Sequence, residues 1–124
     1  MSDAEHSAAL DSAMHPFIGK GVDFRVSPGR NDKPIELNKV VVPNNQRGEG
    51  VGHQFMGALT DHADTWKKTI ALTPSTDFGA SSVNRLKGFY KEHGFVENKG
   101  KNRDFEISHS MYRTPSKQAE KDNT

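Results

Sequence analysis

Between residues 22 and 26 the chain alternates apolar Val22, Phe24 and Val26 with charged Asp23 and Arg25. A period of two places the apolar set on one face and predicts a half-buried strand. The run "SPGRNDKP" that follows is dense in turn formers. "IELNKVVV" then reads as a second strand, and the two are expected to pair as a hairpin. Farther on the period changes. Val51, Phe55, Leu59 and Ala63 recur every fourth residue with Met56 beside them, one face of an amphipathic helix. "KKTIALT" predicts a short buried strand, and "PSTDFGASS" a loop ending in serines suited to helix capping. Val83, Leu86, Phe89, Tyr90 and His93 fall at helical spacing, with Gly94 placed to end that helix. "FVEN" and "DFEISHSMYR" predict two final strands around the polar turn "KGKNR".

The order strand, strand, helix, strand, helix, strand, strand demands a strand–helix–strand crossover, hence a mixed sheet in an α/β (α+β) domain. Residues 1–16 are expected to be flexible or a short helix ending before Pro16. The domain is expected over 17–115, and the polar tail 116–124 to be disordered. At 124 residues the chain suits one domain with a modest core. Its formal net charge of +1 gives no bulk drive toward nucleic acid or an anionic membrane. Cysteine is absent, which excludes disulfides and thiol chemistry. No apolar run is long enough to span a bilayer, and the first residues lack a secretory pattern. A cytoplasmic protein is the expectation.

The stretch "NNQRGEGVGHQF" carries Gly48, Gly50 and Gly52 at alternate positions where a strand meets a helix. Glycine costs roughly 1 kcal/mol inside a helix, so bare backbone is needed for another reason. The first amides of a helix lack internal partners and face outward at the positive end of the helix dipole. Glycine lets an anion approach them closely. A nucleotide P-loop requires Gly-Lys-Ser/Thr, and the dinucleotide fingerprint requires a wider last gap. Neither is present. The pattern that fits is Arg-x-x-Gly-x-Gly, on Arg47, Gly50 and Gly52.

On these residues the chain resembles the GNAT superfamily of acetyl-coenzyme A-dependent N-acetyltransferases. A second stretch, "FYKEHGF", is similar to the end of that family's second helix, with Tyr90, Gly94 and Phe95 in its pattern. "VVVP" resembles the family strand that splays from its neighbour. The likeness covers about residues 22 to 114, and the closing stretch also resembles small phage-borne members. It implies a mostly antiparallel, twisted mixed sheet of about five to six strands with flanking helices. It also implies transfer of acetyl from acetyl-CoA to a primary amine.

By the same resemblance, Arg47, Gly48, Glu49, Gly50, Val51 and Gly52 hold the coenzyme's pyrophosphate. Val40, Val41 and Val42 offer strand backbone to its pantetheine arm, with the Val42 amide as oxyanion donor. Tyr90 matches the general acid beside the sulfur. Glu36 is the candidate base, expected to share a face with Asn38 and Val40 by the two-residue period. Asn84 matches a cofactor-contacting asparagine, one residue short of the usual spacing to Tyr90, with Ser81 and Ser82 as alternatives. His53 is expected to face solvent or phosphate.

The six histidines show no i, i+4 pair, so no metal is expected. Lys87, Lys91, Lys99, Lys101 and Arg103 interleave with aromatic residues. A solvated rim near the coenzyme phosphates is favoured over a nucleic-acid surface. Little chain precedes the central strand, so the acceptor groove is expected to be open or completed by a second subunit in a homodimer. That suits a protein or peptide amine. The competing readings are a catalytically silent acyl-CoA-binding module and a phage protein that binds a host macromolecule.

Overall fold

A computed structural model of the chain describes residues 3–29, 33–42, 50–74 and 83–115. The chain begins with helix α1 (Asp3–Gly19), then strands β1 (Asp23–Ser27) and β2 (Ile35–Val41), helix α2 (Val51–Trp66) and strand β3 (Ile70–Leu72). Helix α3 (Val83–Glu92), strand β4 (Val96–Glu97), a short 3-10 turn at Gly100–Asn102 and strand β5 (Met111–Arg113) complete it. The sheet runs β1-β2-β3-β5-β4, with β2 and β3 parallel and the other neighbours antiparallel.

One cross-strand row passes through Leu37, Leu72, Met111 and Glu97. Its apolar members are buried together with Ile35 and Ile70. All three helices meet this face. Phe55 of α2 packs against Phe17 of α1 and Phe24 of β1, with ring centroids 5.3 and 5.2 Å apart. Lys87 and Lys91 of α3 close on Glu97 at 3.0 and 3.3 Å. Those two hydrogen bonds hold the Glu97 carboxyl down to about 2. Successive crossovers of one hand that advance in one direction across a sheet put their helices on the same side. The opposite face carries the row Glu36, Ala71, Tyr112 and Val96.

The first helix corrects an expectation. It does not stop before Pro16 but runs through it to Gly19. His6, Leu10, Met14 and Phe17 form one buried stripe against α2, while Pro16 sits on the exposed side. A helical proline costs about 3 kcal/mol. Three buried apolar side chains return roughly 1.5–3 kcal/mol each and outweigh it. The stripe is anchored by a buried histidine pair. His62 Nε2 lies 3.0 Å from His6 Nδ1, and His6 Nε2 lies 2.7 Å from the Pro28 carbonyl oxygen. A carbonyl only accepts, so His6 donates from Nε2 and accepts at Nδ1 from His62.

The last strand is also shorter than its pattern. Residues 104–109 leave the ladder, and the Asn98 side chain takes backbone groups of three of them. It donates to the carbonyls of Asp104, Ile107 and His109 and accepts the Asp104 N–H. The α3 terminus forms as expected. Gly94 has φ 92, Gly94 N–H reaches the Lys91 carbonyl and Phe95 N–H reaches that of Tyr90. This is a glycine-terminated Schellman motif. Helix α2 ends the same way, but with Lys67 at φ 55.

These contacts set how stability responds to pH and to a change at the end of α2. Burial, and then the adjacent His6, lower His62 from 6.5 to about 4. The unfolded chain then takes up a proton that the folded chain refuses. Stability is therefore full above pH 6.5 and falls as pH drops from 6.5 to 4, on the order of 2–3 kcal/mol. Denaturant midpoints measured across that range should show the loss, and His62→Gln should flatten it; an equal slope in the variant rejects the assignment. At Lys67, left-handed backbone favours glycine, so Lys67→Gly should raise stability by about 0.5–1 kcal/mol in chemical melts.

Candidate functional site

The β2–β3 ladder is short. It pairs Ile35 with Ile70, Glu36 with Ala71 and Leu37 with Leu72, and there it ends. Strand β2 runs on to Val41, held by β1 from the other side, where Phe24 pairs with Val40 and Asp23 with Val41. The two parallel strands thus stop pairing halfway along β2. At its far end Val42 approaches the first turn of α2, with Cγ2 3.8 Å from where a Gly52 Cβ would stand.

Helix α2 opens at Gly50, whose φ of 79 is left-handed and which carries no side-chain cap. The first intrahelical bond runs from Gln54 N–H to the Gly50 carbonyl at 2.9 Å. Among the described residues no partner faces the N–H groups of Val51, Gly52 and His53. A Cβ placed on Gly50 would meet nothing within 4 Å among the described residues. Gly52 stands between Phe89 of α3, at 3.5 Å, and Val42. That is ordinary contact distance, and packing does not forbid a methyl group there.

Helix α3 brings Tyr90 and Phe89 to this end of the molecule. Tyr90 is 6% exposed, in ring contact with Phe89 and Phe95 at 5.3 and 5.8 Å. Burial pushes its phenol above the ordinary range, so it keeps its proton at neutral pH. Among the described residues no hydrogen-bond partner stands against the hydroxyl. Asn84 is exposed in the first turn of α3. Arg47, Gly48, Glu49, Ser81 and Ser82 lie outside the described residues.

Glu36 is on the opposite face of the sheet from Tyr90. The expectation that Glu36, Asn38 and Val40 share a face is corrected by a β-bulge. Val26 pairs with Leu37 and Arg25 with Lys39, so Asn38 is an extra residue on β2. The bulge shifts the alternation by one. Val40 and Val42 turn to the core side, packed against the cluster of Ile35 and Leu37. Lys39 instead pairs with Asp23 at 2.6 Å. The basic residues toward the end of the chain also find local partners. Lys87, Lys91 and Lys99 gather on Glu97, and Arg103 lies 5.1 Å over the Phe105 ring.

Sequence reasoning missed how histidines cluster in space. His53 Nδ1 of α2 stands 2.9 Å from His93 Nε2, just past the end of α3, and its ring packs on Phe89 at 4.8 Å. Burial, followed by the neighbouring His53, lowers His93 below the usual imidazole range. The partners are 40 residues apart, beyond the reach of any periodic signal. Among the described residues no group of three or more potential ligands is placed to hold a metal, and no helix is long and apolar enough to cross a membrane. A separate basin of about 500 Å³ lies along β4, lined by Lys91, Val96, Glu97 and Lys101 among others, two strands away from the parting.

No family model matches the chain, and no curated protein matches it in sequence. Geometry alone defines the site. A strand that outruns its parallel neighbour ends beside a helix whose opening amides are unpartnered among the described residues, with a buried, protonated phenol on the next helix.

The two glycines separate conformation from ligand access. Gly50→Ala should cost about 1 kcal/mol of stability through its left-handed backbone. Gly52→Ala should be neutral to about 0.5 kcal/mol stabilising, because the methyl fits and helix propensity improves. Urea melts of both variants check this; a loss at Gly52 matching that at Gly50 would contradict it.

Proposed function

We propose that the protein is an N-acetyltransferase of the GNAT type, moving acetyl from acetyl-CoA to a primary amine by direct attack in a ternary complex. The observation that carries this reading is the parting of β2 from β3 after Leu37 and Leu72, with β2 running on until Val42 meets the glycine-opened start of α2. An open sheet with crossover helices is common to many proteins. A parallel pair that separates beside unpartnered helix amides suits a long ligand with a diphosphate at one end and an amide-bearing arm at the other.

In this reading the amides from Gly50 to Gly52 hold the pyrophosphate, joined by Arg47, Gly48 and Glu49. Val40 and Val41 lie on the overrunning part of β2 and offer backbone to the pantetheine amides, as an added strand would. Val42 lies beside Gly52, at the diphosphate end of the arm, so the thioester falls farther back along β2. Tyr90 holds its proton through the neutral range and gives it to the departing thiolate. Glu36 serves proton removal from the amine on the far face. The parting lets one thioester address both faces. A protein or peptide amine is the acceptor class, reaching the sheet from the side away from the helices.

Calorimetry with acetyl-CoA and a thiol-release assay test the reading. Saturable binding is expected, weakened at least tenfold by Gly52→Ala while the fold stays intact. Tyr90→Phe is expected to bind normally and to lose on the order of a hundredfold in kcat. No binding at millimolar ligand rejects the function. Binding with no thiol release against any amine leaves a silent acyl-CoA module instead.

A further inference from the structure

The face of the sheet away from the helices holds a second arrangement. Glu36 lies in the last-but-one pair before β2 and β3 part. His109 Nε2 stands 3.4 Å from Glu36 Oε2, with the imidazole 18% and the carboxylate 43% exposed. His109 belongs to no strand, yet its backbone is fixed. Asn98, itself 8% exposed, donates to the His109 carbonyl at 3.0 Å and to those of Ile107 at 2.9 Å and Asp104 at 3.3 Å. The next residue, Ser110, donates its N–H to Thr73 Oγ1 at 3.2 Å, one position beyond the end of β3. Tyr112 Oη donates to the Asn102 carbonyl at 2.6 Å and closes the loop from the other side. The loop is therefore bolted to the point where the parallel strands separate, with one imidazole turned toward the only carboxylate of β2.

We propose that His109 takes the proton from the acceptor amine, with Glu36 as the positioning residue behind it. This rests on the acetyltransferase reading and deepens it. Nε2 is the ring nitrogen nearest the carboxylate, which can only accept, so in this proposal the neutral ring holds its hydrogen at Nε2 and offers the Nδ1 lone pair to the amine. No partner for Nδ1 stands among the described residues. The pair orients the ring and stabilises the imidazolium that forms, the role of a carboxylate behind a histidine base.

The steps balance. The amine arrives as an ammonium ion and gives one proton to Nδ1. Its freed lone pair forms the C–N bond at the thioester carbonyl, and the tetrahedral oxyanion collapses with rupture of the C–S bond. The nitrogen loses its second proton to solvent. The thiolate takes one from Tyr90, which is reprotonated from solvent, and the imidazolium releases its own to water. The thioester enters from the helix side and the amine from the opposite side. Base and acid then work from opposite faces of one gap, so the amine never has to pass the coenzyme.

The test compares the wild type with His109→Gln and Glu36→Gln, using n-butylamine, spermidine and a single-lysine peptide as acceptors. Both variants are expected to bind acetyl-CoA within about twofold of the wild type by calorimetry. His109→Gln should lose about a hundredfold in kcat/KM at neutral pH and recover as pH rises toward the range where the amine is already neutral. Glu36→Gln should show a smaller loss of the same shape. Added imidazole should partly restore His109→Ala. Long-range proton–nitrogen spectra should show the Nε2–H tautomer of His109 in the wild type, a readout that needs no turnover. A wild-type pH profile in His109→Gln, or the Nδ1–H tautomer, overturns the proposal while leaving the acetyltransferase reading intact. Absence of acetyl-CoA binding by the wild type overturns both, and binding without transfer to any of the three amines rejects His109 as a base.

Discussion

The architecture turns on the shortness of β3. Its three residues, Ile70, Ala71 and Leu72, are buried at 0–1% exposure and paired on both sides, to β2 in parallel and to β5 antiparallel. A strand enclosed this way is apolar throughout, which matches its sequence. It cannot continue. The Thr73 side chain is taken by Ser110, and Pro74 lacks the N–H that a ladder needs. Strand β2 has no such limit because β1 supports it to Val41. Two parallel strands of unequal support must separate, and the separation is the feature that gives the molecule a candidate site.

The elements around that gap are held by a few directional contacts. Arg113 grips Asp64 with two hydrogen bonds of 2.9 and 3.1 Å and donates from Nε to the His93 carbonyl at 2.9 Å. One side chain thereby ties β5 to the end of α2 and the end of α3. A two-pronged, half-buried guanidinium pair of this kind specifies geometry more strongly than an exposed one. Gly94 is part of the same joint, since a Cβ there would come 3.1 Å from Arg113 Nε. Its left-handed backbone ends α3 and sends Phe95 into the core below Tyr90. Tyr90 and Phe89 lie in the last turn of α3, so this joint holds the end of the helix that packs on Gly52.

The same economy governs the loop on the face away from the helices. One buried asparagine satisfies three carbonyls and one N–H, and residues that alternate like a strand fold instead into a fixed loop. Backbone groups need partners, and a side chain can supply them as well as a neighbouring strand can. That substitution shortens β5, brings His109 over the sheet and leaves Phe105 exposed at the turn.

Much of this was legible in the residues alone. The apolar positions of α2 and β1, the buried run of β3 and the glycine that ends α3 are local matters of period, branching and backbone freedom. Each is decided within a few residues. Gly50 is equally local, because a positive φ selects glycine wherever it occurs. The faces and lengths of the strands were not legible. A two-residue period cannot reveal that Asn38 is a bulge or that Asn98 will unmake a strand. Nor can it say that Leu10, Met14 and Phe17 will carry a helix through a proline. Those outcomes compare burial with hydrogen bonding between distant segments. The histidine contacts are of the same kind, joining residues 40 and 56 positions apart. The sequence by itself determined the elements and the turn chemistry, because these depend on short-range sterics. The tertiary structure decided where two strands part and which imidazole meets which carboxylate, because only packing sets distances between residues remote along the chain.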